Sequence, residues 1–248
     1  MARLIVCEPC RLIYVPVPKC ASTTMHQFLA ALGGVDDRGQ PRDCLPILER
    51  EVGPGVGGSY IVGCDPPDFP EIVRRYAGFV WFSVVRDPYG RVLSNYQNKL
   101  NRYARRFEPG SYALAYAGQV LKPWAFGHRD HQAERIQRMQ TRIPFPRFVE
   151  ALARHGIDWD AHFRLQARLL HMSDIPYHRL VRMEQLAEGL RDVLLAAGTL
   201  DRAQQAVDSL GRLNRSRGDA GPTIWTDATR EIVAGLYRRD FETLGYAA

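Results

Sequence analysis

The chain has 248 residues, of which 46% are hydrophobic and 10% aromatic, and its formal net charge is +6. This composition excludes a disordered chain, and the length predicts one domain over residues 1–248 with a substantial core. No apolar run approaches the roughly 20 residues of a membrane span, and Glu8 and Arg11 interrupt the one candidate signal segment. We therefore expect a soluble, cytoplasmic protein with no integral membrane segment, whose positive charge suits an anionic ligand.

The five cysteines are odd in number and lack the spacing of a disulfide framework, which predicts reduced thiols. Cys7 and Cys10 form a C-x-x-C pair, but no second pair or histidine cluster completes a zinc site. We therefore expect no metal.

The first candidate site is a turn from a strand into a helix. Leu12–Val15 is a β-branched and aromatic run that predicts a buried strand, and the prolines after it prevent its continuation. A helical pattern begins at Thr23 and stops at Gly33. The candidate anion-binding residues of this loop are Lys19, Cys20, Ala21, Ser22, Thr23 and Thr24.

This loop has the chemistry of an anion site. The first turn of a helix offers unpaired N–H groups and the positive end of the helix dipole. Lys19 adds a charge, and the hydroxyl groups add donors. It is not a Walker A loop, because the glycines are absent and the lysine precedes the small residues. An ordinary turn with a solvated Lys19 is the alternative, and Cys20 is either a reactive thiol or simply a small residue.

A second candidate site follows the apolar run 79–85, which is typical of a strand covered on both faces. Arg86 comes next, with Asp87 as the expected N-cap and Pro88 at the first helical position. An arginine at the carboxyl end of a buried strand lies where open α/β sheets bind ligands, and its planar fork matches phosphate oxygens. A structural pair with Asp87 or with a neighbouring carboxylate is the alternative. Two anion-binding strand ends favour a ligand with phosphates at both ends over a simple triphosphate.

The remaining predicted elements alternate between strands and helices. The strands are Ser59–Gly63 and His178–Met183, and the helices are Asp68–Tyr76, Pro146–His155, Glu184–Ala197 and a last one from Asp227. Such alternation predicts an α/β fold, with a parallel sheet and helices on both faces.

Three segments leave their role open. Asp36–Gly58 is predicted to be a surface excursion, and residues 102–142 match no pattern that we can place. Aromatic residues in the second segment either stack on a sugar or pack in the core, namely Tyr112, Tyr116, Trp124 and Phe126. A basic group that follows the second motif is either a solvated face or a contact for an anionic glycan, and consists of Lys99, Arg102, Arg105 and Arg106.

Both motifs resemble those of a known family. Pro18-Lys19-x-x-Ser22-Thr23-Thr24 resembles the 5′-phosphosulfate loop of sulfotransferases. Arg86-Asp87-Pro88-Tyr89-x-Arg91-x-x-Ser94-x-Tyr96 resembles their 3′-phosphate motif. The chain is most similar to the carbohydrate sulfotransferases, the group with the chondroitin 4-O- and heparan sulfate 2-O-sulfotransferases. Further similarity lies in Asp160-x-His162-Phe163-x-x-Gln166, which resembles D-x-H-W-x-P-Q, and in Tyr177–Glu184, Asn214-x-Ser216 and Tyr237–Tyr246.

The resemblance implies a fold, a donor and a reaction. The fold is a three-layer P-loop-like one with a central parallel sheet flanked by helices. The donor is 3′-phosphoadenosine 5′-phosphosulfate (PAPS), which leaves as adenosine 3′,5′-bisphosphate (PAP), and no metal is needed. Lys19 acts in catalysis and binds the donor with the rest of its loop, while Arg86 and Ser94 hold the 3′-phosphate. The acceptor is a glycan or another hydroxyl-bearing molecule.

Two other function classes remain. A small-molecule kinase of the P-loop type is disfavoured by the missing glycines and by Arg86, which stands where an acid would be expected. A non-enzymatic polyanion-binding protein is the third class. Base-reading or stacking motifs are lacking, so we expect no nucleic-acid partner.

The general base is the least determined part of the site. His162 is the first candidate, because it matches the family's D-x-H segment and histidine titrates near neutrality. A structural histidine bonded to Asp158 or Asp160 is the alternative. His26 and Asp65 come next, and Glu184 is expected to be structural.

Overall fold

The computed structural model describes residues 2–33, 58–120, 132–201 and 224–248, together with residues 203, 204 and 207. Two compact units make up the chain, and each combines two stretches of sequence. The first unit is Met1–Asp87 with Gln166–Ala220, and the second is Pro88–Leu165 with Gly221–Ala248. The expectations of a single domain and of a cytoplasmic location stay predictions.

A five-stranded sheet forms the centre of the first unit, in the order β3-β1-β2-β4-β5. Its strands are β1 (Ala2–Cys7), β2 (Leu12–Val15), β3 (Ser59–Cys64), β4 (Val80–Val85) and β5 (Arg179–Arg182). All six residues of β4 and all four of β2 are buried, as expected for strands with covered faces.

The sheet is mixed, which corrects the prediction of a central parallel sheet. Strands β2, β4 and β5 are parallel to one another, as predicted. Strand β1 is antiparallel to both β2 and β3. The short turn 8–11 joins β1 to β2, and such a turn can connect only antiparallel strands, because a parallel crossover needs a dozen or more residues.

Helices cover both faces of this sheet, as predicted. On one face, α2 (Phe69–Arg75) contributes Phe69 to the core around Ile13, Val15 and Trp81. On the other, α1 (Ser22–Leu32) is tied to β3 where the Ser59 hydroxyl donates to the Leu29 carbonyl at 2.6 Å. Helix α8 (Leu186–Ala196) packs on the same side so closely that a Cβ at Gly189 would lie 2.5 Å from Val181 Cγ1.

The second unit is helical. Its helices are α3 (Pro88–Phe107), α4 (Pro109–Val120), α5 (Gln132–Arg142), α6 (Phe145–His155), α9 (Asp227–Leu236) and α10 (Arg238–Leu244). A short helix α7 (Gln166–Leu169) returns the chain to the first unit. Buried residues at helical spacing on α3, such as Val92, Tyr96 and Leu100, pack with Phe148 and Leu152 of α6 in one core.

Part of the unplaced segment 102–142 is helical, since α4 and α5 lie within it. Tyr112 and Tyr116 stack on α4 with ring centroids 4.3 Å apart and pack against the core, which supports the packing alternative for these two. Trp124 and Phe126 lie outside the described residues, as do residues 36–57 and the Asn214-x-Ser216 motif.

Candidate functional site

The loop between β2 and α1 has an unusual backbone. Lys19 and Ala21 have φ angles of 69° and 55°, in the left-handed region that residues with a side chain rarely adopt. Between them, the Cys20 N–H donates to the Val17 carbonyl at 3.2 Å. Such conformations persist where the surrounding structure enforces them, and they concentrate at functional sites. The backbone of this loop therefore indicates a functional role, beyond the connection of β2 to α1.

The start of α1 offers donors to a ligand. Ala21 is the N-cap and has no side chain that could cap the helix, and the Met25 N–H makes the first helical bond, to the Ala21 carbonyl. Helix geometry leaves the N–H groups of Ser22, Thr23 and Thr24 outside the ladder of α1. An anion is the natural partner for such groups.

Arg86 lies next to this loop because β2 and β4 are parallel neighbours. Val15, the last residue of β2, pairs with Ser83, whose hydroxyl donates to the Val15 carbonyl at 2.7 Å. Both strands therefore end at the same edge of the sheet. Beyond it, Arg86 Nη1 donates to the Lys19 carbonyl at 3.5 Å. The structure thus brings together Lys19 and Arg86, two residues that the sequence predicted for the donor site.

Gln166 is a contact in this region that sequence reasoning missed. Its side chain is fully buried. Its Oε1 accepts from the Arg86 N–H at 3.0 Å and from Cys20 Sγ at 3.1 Å, and its Nε2 donates to the Arg86 carbonyl at 2.8 Å. The only signal in the sequence was its place at the end of the D-x-H segment. Cys20 is also fully buried, which supports a small packed residue over a reactive thiol.

Ser94 and His162 belong to the second unit, whereas Lys19–Thr24 and Arg86 belong to the first. Ser94 is half-buried on α3, about two turns from its start. His162 lies in the loop between α6 and α7.

His162 is paired with Asp160. Its Nδ1 lies 2.7 Å from Asp160 Oδ1, and its backbone N–H donates to the same oxygen at 2.8 Å. Asp160 Oδ2 accepts from Arg102 Nη1 at 3.0 Å. Of the two aspartates considered from the sequence, Asp160 is therefore the partner of the imidazole. With Nδ1 held by the carboxylate, Nε2 is the nitrogen that can exchange a proton with a substrate.

The surroundings keep this imidazole neutral at physiological pH. Burial lowers the pKa of His162, the bond to Asp160 acts in the opposite direction, and the positive charges of Lys99 and Arg102 lower it further. Burial alone would raise the pKa of Asp160, but the hydrogen bonds from His162 and Arg102 lower it below its usual value. A neutral imidazole beside an ionised carboxylate is the state that a general base requires.

Three side chains hold the backbone around His162. They donate to four consecutive carbonyl groups: Arg91 to Ala161 and Arg164, Asn95 to His162, and Tyr237 to Phe163, at 2.6–3.2 Å. The three donors are buried. Because buried donors fix carbonyl positions, the loop that carries His162 has one orientation within the second unit.

The other candidate bases have local structural roles or are buried. His26 is buried within α1. Asp65 is exposed and caps the short turn Pro66–Asp68. Glu184 Oε1 accepts from the Asp87 N–H at 3.0 Å, which agrees with the structural role expected for it.

The basic residues of α3 differ from one another in their contacts. Arg102 binds Asp160, and Arg106 lies over the rings of Phe107 and Trp159, 5.3 Å from each centroid. Lys99 is half-buried, and burial with the nearby Arg102 lowers its pKa. Lys99 and Arg102 therefore add positive charge next to His162.

In the part of the chain that the structure describes, no group of three or more His, Cys, Asp or Glu side chains could hold a metal ion. Over those same residues, the helices are either too short or too polar to cross a membrane.

A lysine loop at a helix start, next to an arginine at the end of the neighbouring parallel strand, is an arrangement in which α/β proteins bind anions. Comparison with protein families specifies it further. The chain belongs to the sulfotransferase family, whose model matches residues 2–247.

Among individual proteins, the chain is similar to carbohydrate sulfotransferase 11 of several vertebrates. It is 25% identical to the Rattus norvegicus protein over 202 residues, which cover 80% of this chain and 53% of that protein, and the same values hold for Mus musculus. Identity to the Danio rerio protein is 25% over 205 residues, or 81% of this chain and 54% of that one. The chain thus spans about half the length of these relatives. No solved structure matches it significantly.

Proposed function

We propose that this protein is a sulfotransferase that moves a sulfuryl group from PAPS to a hydroxyl of a carbohydrate. The observation that carries the proposal is the juxtaposition of Lys19 and Arg86 at the ends of β2 and β4. Family membership and the named relatives support it. The parallel β2–β4 pair, followed by an anion loop and α1, also supports a P-loop-like arrangement of the first unit.

Most of the residues proposed to bind the donor belong to the first unit. The N–H groups of Ser22, Thr23 and Thr24 and the charge of Lys19 suit the 5′-phosphosulfate. Arg86 suits the 3′-phosphate, which distinguishes this donor from ATP, and Ser94 is proposed to assist it. The residues present fit a doubly anionic nucleotide, because Lys19 and the N–H groups at the start of α1 suit one anionic end and the Arg86 guanidinium suits the other.

The chemistry is an in-line displacement at sulfur. The acceptor oxygen forms a bond to sulfur, the bond from sulfur to the 5′-phosphate oxygen breaks, and PAP leaves with the electron pair. Lys19 would stabilise the charge that develops on the bridging oxygen. The hydroxyl proton passes to Nε2 of His162, while Asp160 stabilises the imidazolium that results.

The acceptor is proposed to be a glycan, and the charges beside His162 favour one with carboxylate or sulfate groups. Lys99 and Arg102 are the two cations whose charges lower the pKa of the His162 imidazole. An anionic sugar would be drawn to them, whereas a neutral one would gain nothing.

A thermal-shift comparison tests the proposal first, with PAP, ATP plus magnesium, and a short oligonucleotide as ligands. We expect a rise in Tm with PAP alone. A rise with ATP alone would favour a kinase, and a rise with the oligonucleotide alone would favour a polyanion-binding protein. Transfer of radiolabelled sulfate from PAPS to a panel of neutral and uronic-acid-bearing oligosaccharides then identifies the acceptor class.

A further inference from the structure

We propose that Gln166 is a positioning residue that couples the two halves of the donor site. The inference rests on the proposed function, since it assumes that the Lys19 loop and Arg86 bind the two ends of one nucleotide. Gln166 would hold the Lys19 loop and Arg86 at a fixed distance from each other, which neither motif can do by itself.

The contacts of Gln166 reach both motifs through one amide group. Oε1 accepts from the Arg86 N–H and from the Cys20 thiol, so both of its lone pairs are engaged. Nε2 donates to the Arg86 carbonyl. The amide is inaccessible to solvent, so water does not replace these bonds if they are lost.

The two bonds to Arg86 extend the sheet by one residue. The register between β4 and β5 ends at Val85 and Arg182, so Arg86 lies one residue beyond the last strand pair. There the side-chain amide of Gln166 pairs with the N–H and the carbonyl of Arg86, as a neighbouring strand would. The backbone of Arg86 is thereby fixed, and with it the direction in which the guanidinium leaves the sheet.

The bond to Cys20 acts on the other motif. Cys20 lies between Lys19 and Ala21, the two residues with positive φ, at the point where the loop is most strained. A buried bond from Sγ to Gln166 holds the middle of this loop toward the end of β4. Loss of Gln166 should therefore relax both the 5′ and the 3′ sites, whereas loss of the Arg86 side chain, whose bond to the Lys19 carbonyl is long, should affect mainly the 3′ site.

The test measures binding by isothermal titration with two probes, PAP and adenosine 5′-phosphosulfate, which lacks the 3′-phosphate. We expect Gln166→Leu to raise the Kd of both by about tenfold, the size expected when buried hydrogen bonds are lost. Gln97→Leu is the control, because Gln97 is exposed on α3 and outside both motifs. A folded Gln166→Leu variant with wild-type Kd for both probes, or with a loss for PAP alone, would overturn the proposal.

Gln166→Glu gives a second readout, the pH dependence of the Kd for PAP, which a simple loss of packing would not change. A glutamate has nearly the same shape, but its ionised carboxylate cannot donate to the Arg86 carbonyl and would repel the nucleotide. Burial raises the pKa of such a group, and the protonated form regains a donor. The Kd for PAP, divided by that of the wild type at the same pH, should therefore fall as the pH is lowered from 8 to 6.

This variant also decides the matter if Gln166→Leu does not fold. Wild-type affinity at pH 8, or a weakened affinity that does not recover toward pH 6, would contradict the positioning role. Failure of the wild type itself to bind PAP would instead contradict the proposed function, so the two failures are distinguishable.

Discussion

Lys19 combines a charge with a left-handed backbone, at the point where the loop turns toward α1. We expect Lys19→Ala to lower kcat/KM by about 10²–10³-fold, since it removes the charge that is proposed to stabilise the leaving group. The Tm should stay close to that of the wild type, because both residues must adopt the same positive φ. Arg11→Ala is the matched control, because Arg11 also carries a charge and a positive φ, in the β1–β2 turn. Near-normal transfer by Lys19→Ala would show that the loop has another role.

Arg86 provides a test of the 3′ end of the nucleotide. We expect Arg86→Ala to weaken PAP binding by about 10–100-fold, because a charge-assisted hydrogen bond is lost. Binding of adenosine 5′-phosphosulfate should change by less than about threefold. The backbone bonds of Arg86 to Gln166 remain in this variant, so the fold should be kept. Equal losses for both ligands in titration would make Arg86 a structural residue.

Asp160 holds the orientation of His162 and opposes the lowering of its pKa by burial. We expect Asp160→Asn to lower kcat by about 10²-fold, because the imidazole loses the partner that fixes its tautomer. Burial lowers the pKa of His162, and the bond to Asp160 partly offsets this lowering. Removal of this bond should therefore lower that pKa further, and the acidic limb of the kcat profile should move to lower pH. A limb that moves to higher pH would contradict the assignment of His162 as the base.

Some features at the residue scale follow from the sequence and others depend on the fold. Lys19 and Arg86 could be predicted because strand ends and helix starts are local patterns. The positive φ of Ala21 could not, since no glycine indicates it. The role of Gln166 could not either, because its partners lie 80 and 146 positions away along the chain.

At the scale of elements, the loop that carries His162 depends on helices α3 and α9. Tyr237 follows α9, and its hydroxyl donates to the Phe163 carbonyl at 2.7 Å. We expect Tyr237→Phe to lower the free energy of unfolding by about 1 kcal/mol, the usual value of one buried hydrogen bond. It should also lower kcat by roughly threefold while PAP binding is unchanged, since the loop carries the proposed base and none of the proposed donor-binding residues.

Denaturant titration and steady-state kinetics measure the two effects of Tyr237→Phe separately. Tyr246→Phe is the control, because this aromatic residue is near the same helices but only half-buried at the edge of the core. A stability loss without any change in kcat would mean that the loop tolerates one missing bond.

The predicted elements are confirmed wherever the pattern was long and regular. Strands β2 and β4, helix α1 and helix α6 lie within one or two residues of their predicted bounds. Strand β1 was missed because its short apolar run was considered only as a candidate signal segment. Helices α4 and α5 were missed because glycine, proline and aromatic residues around them obscure the helical period.

At the scale of the whole molecule, one family match extends over a chain that folds into two compact units. The match covers residues 2–247 and therefore includes both units. The donor motifs begin in the first unit, while the candidate base and Ser94 belong to the second. Sequence could predict the class of reaction because both motifs are short and specific. It could not predict the division into units, because each unit combines distant stretches whose contacts form only in the folded chain.

The position of β1 decides how the chain can be shortened for experiments. Strand β1 separates β3 from the rest of the sheet and pairs with both β3 and β2. An expression fragment that begins after Cys7 would lack the strand that connects β3 to β2. The edge of β2 would then have unpaired N–H and carbonyl groups, which promote aggregation. Affinity tags and fluorophores should therefore be attached where they leave Ala2–Cys7 intact and able to pair with β2 and β3. This holds although none of these six residues is itself a proposed site residue.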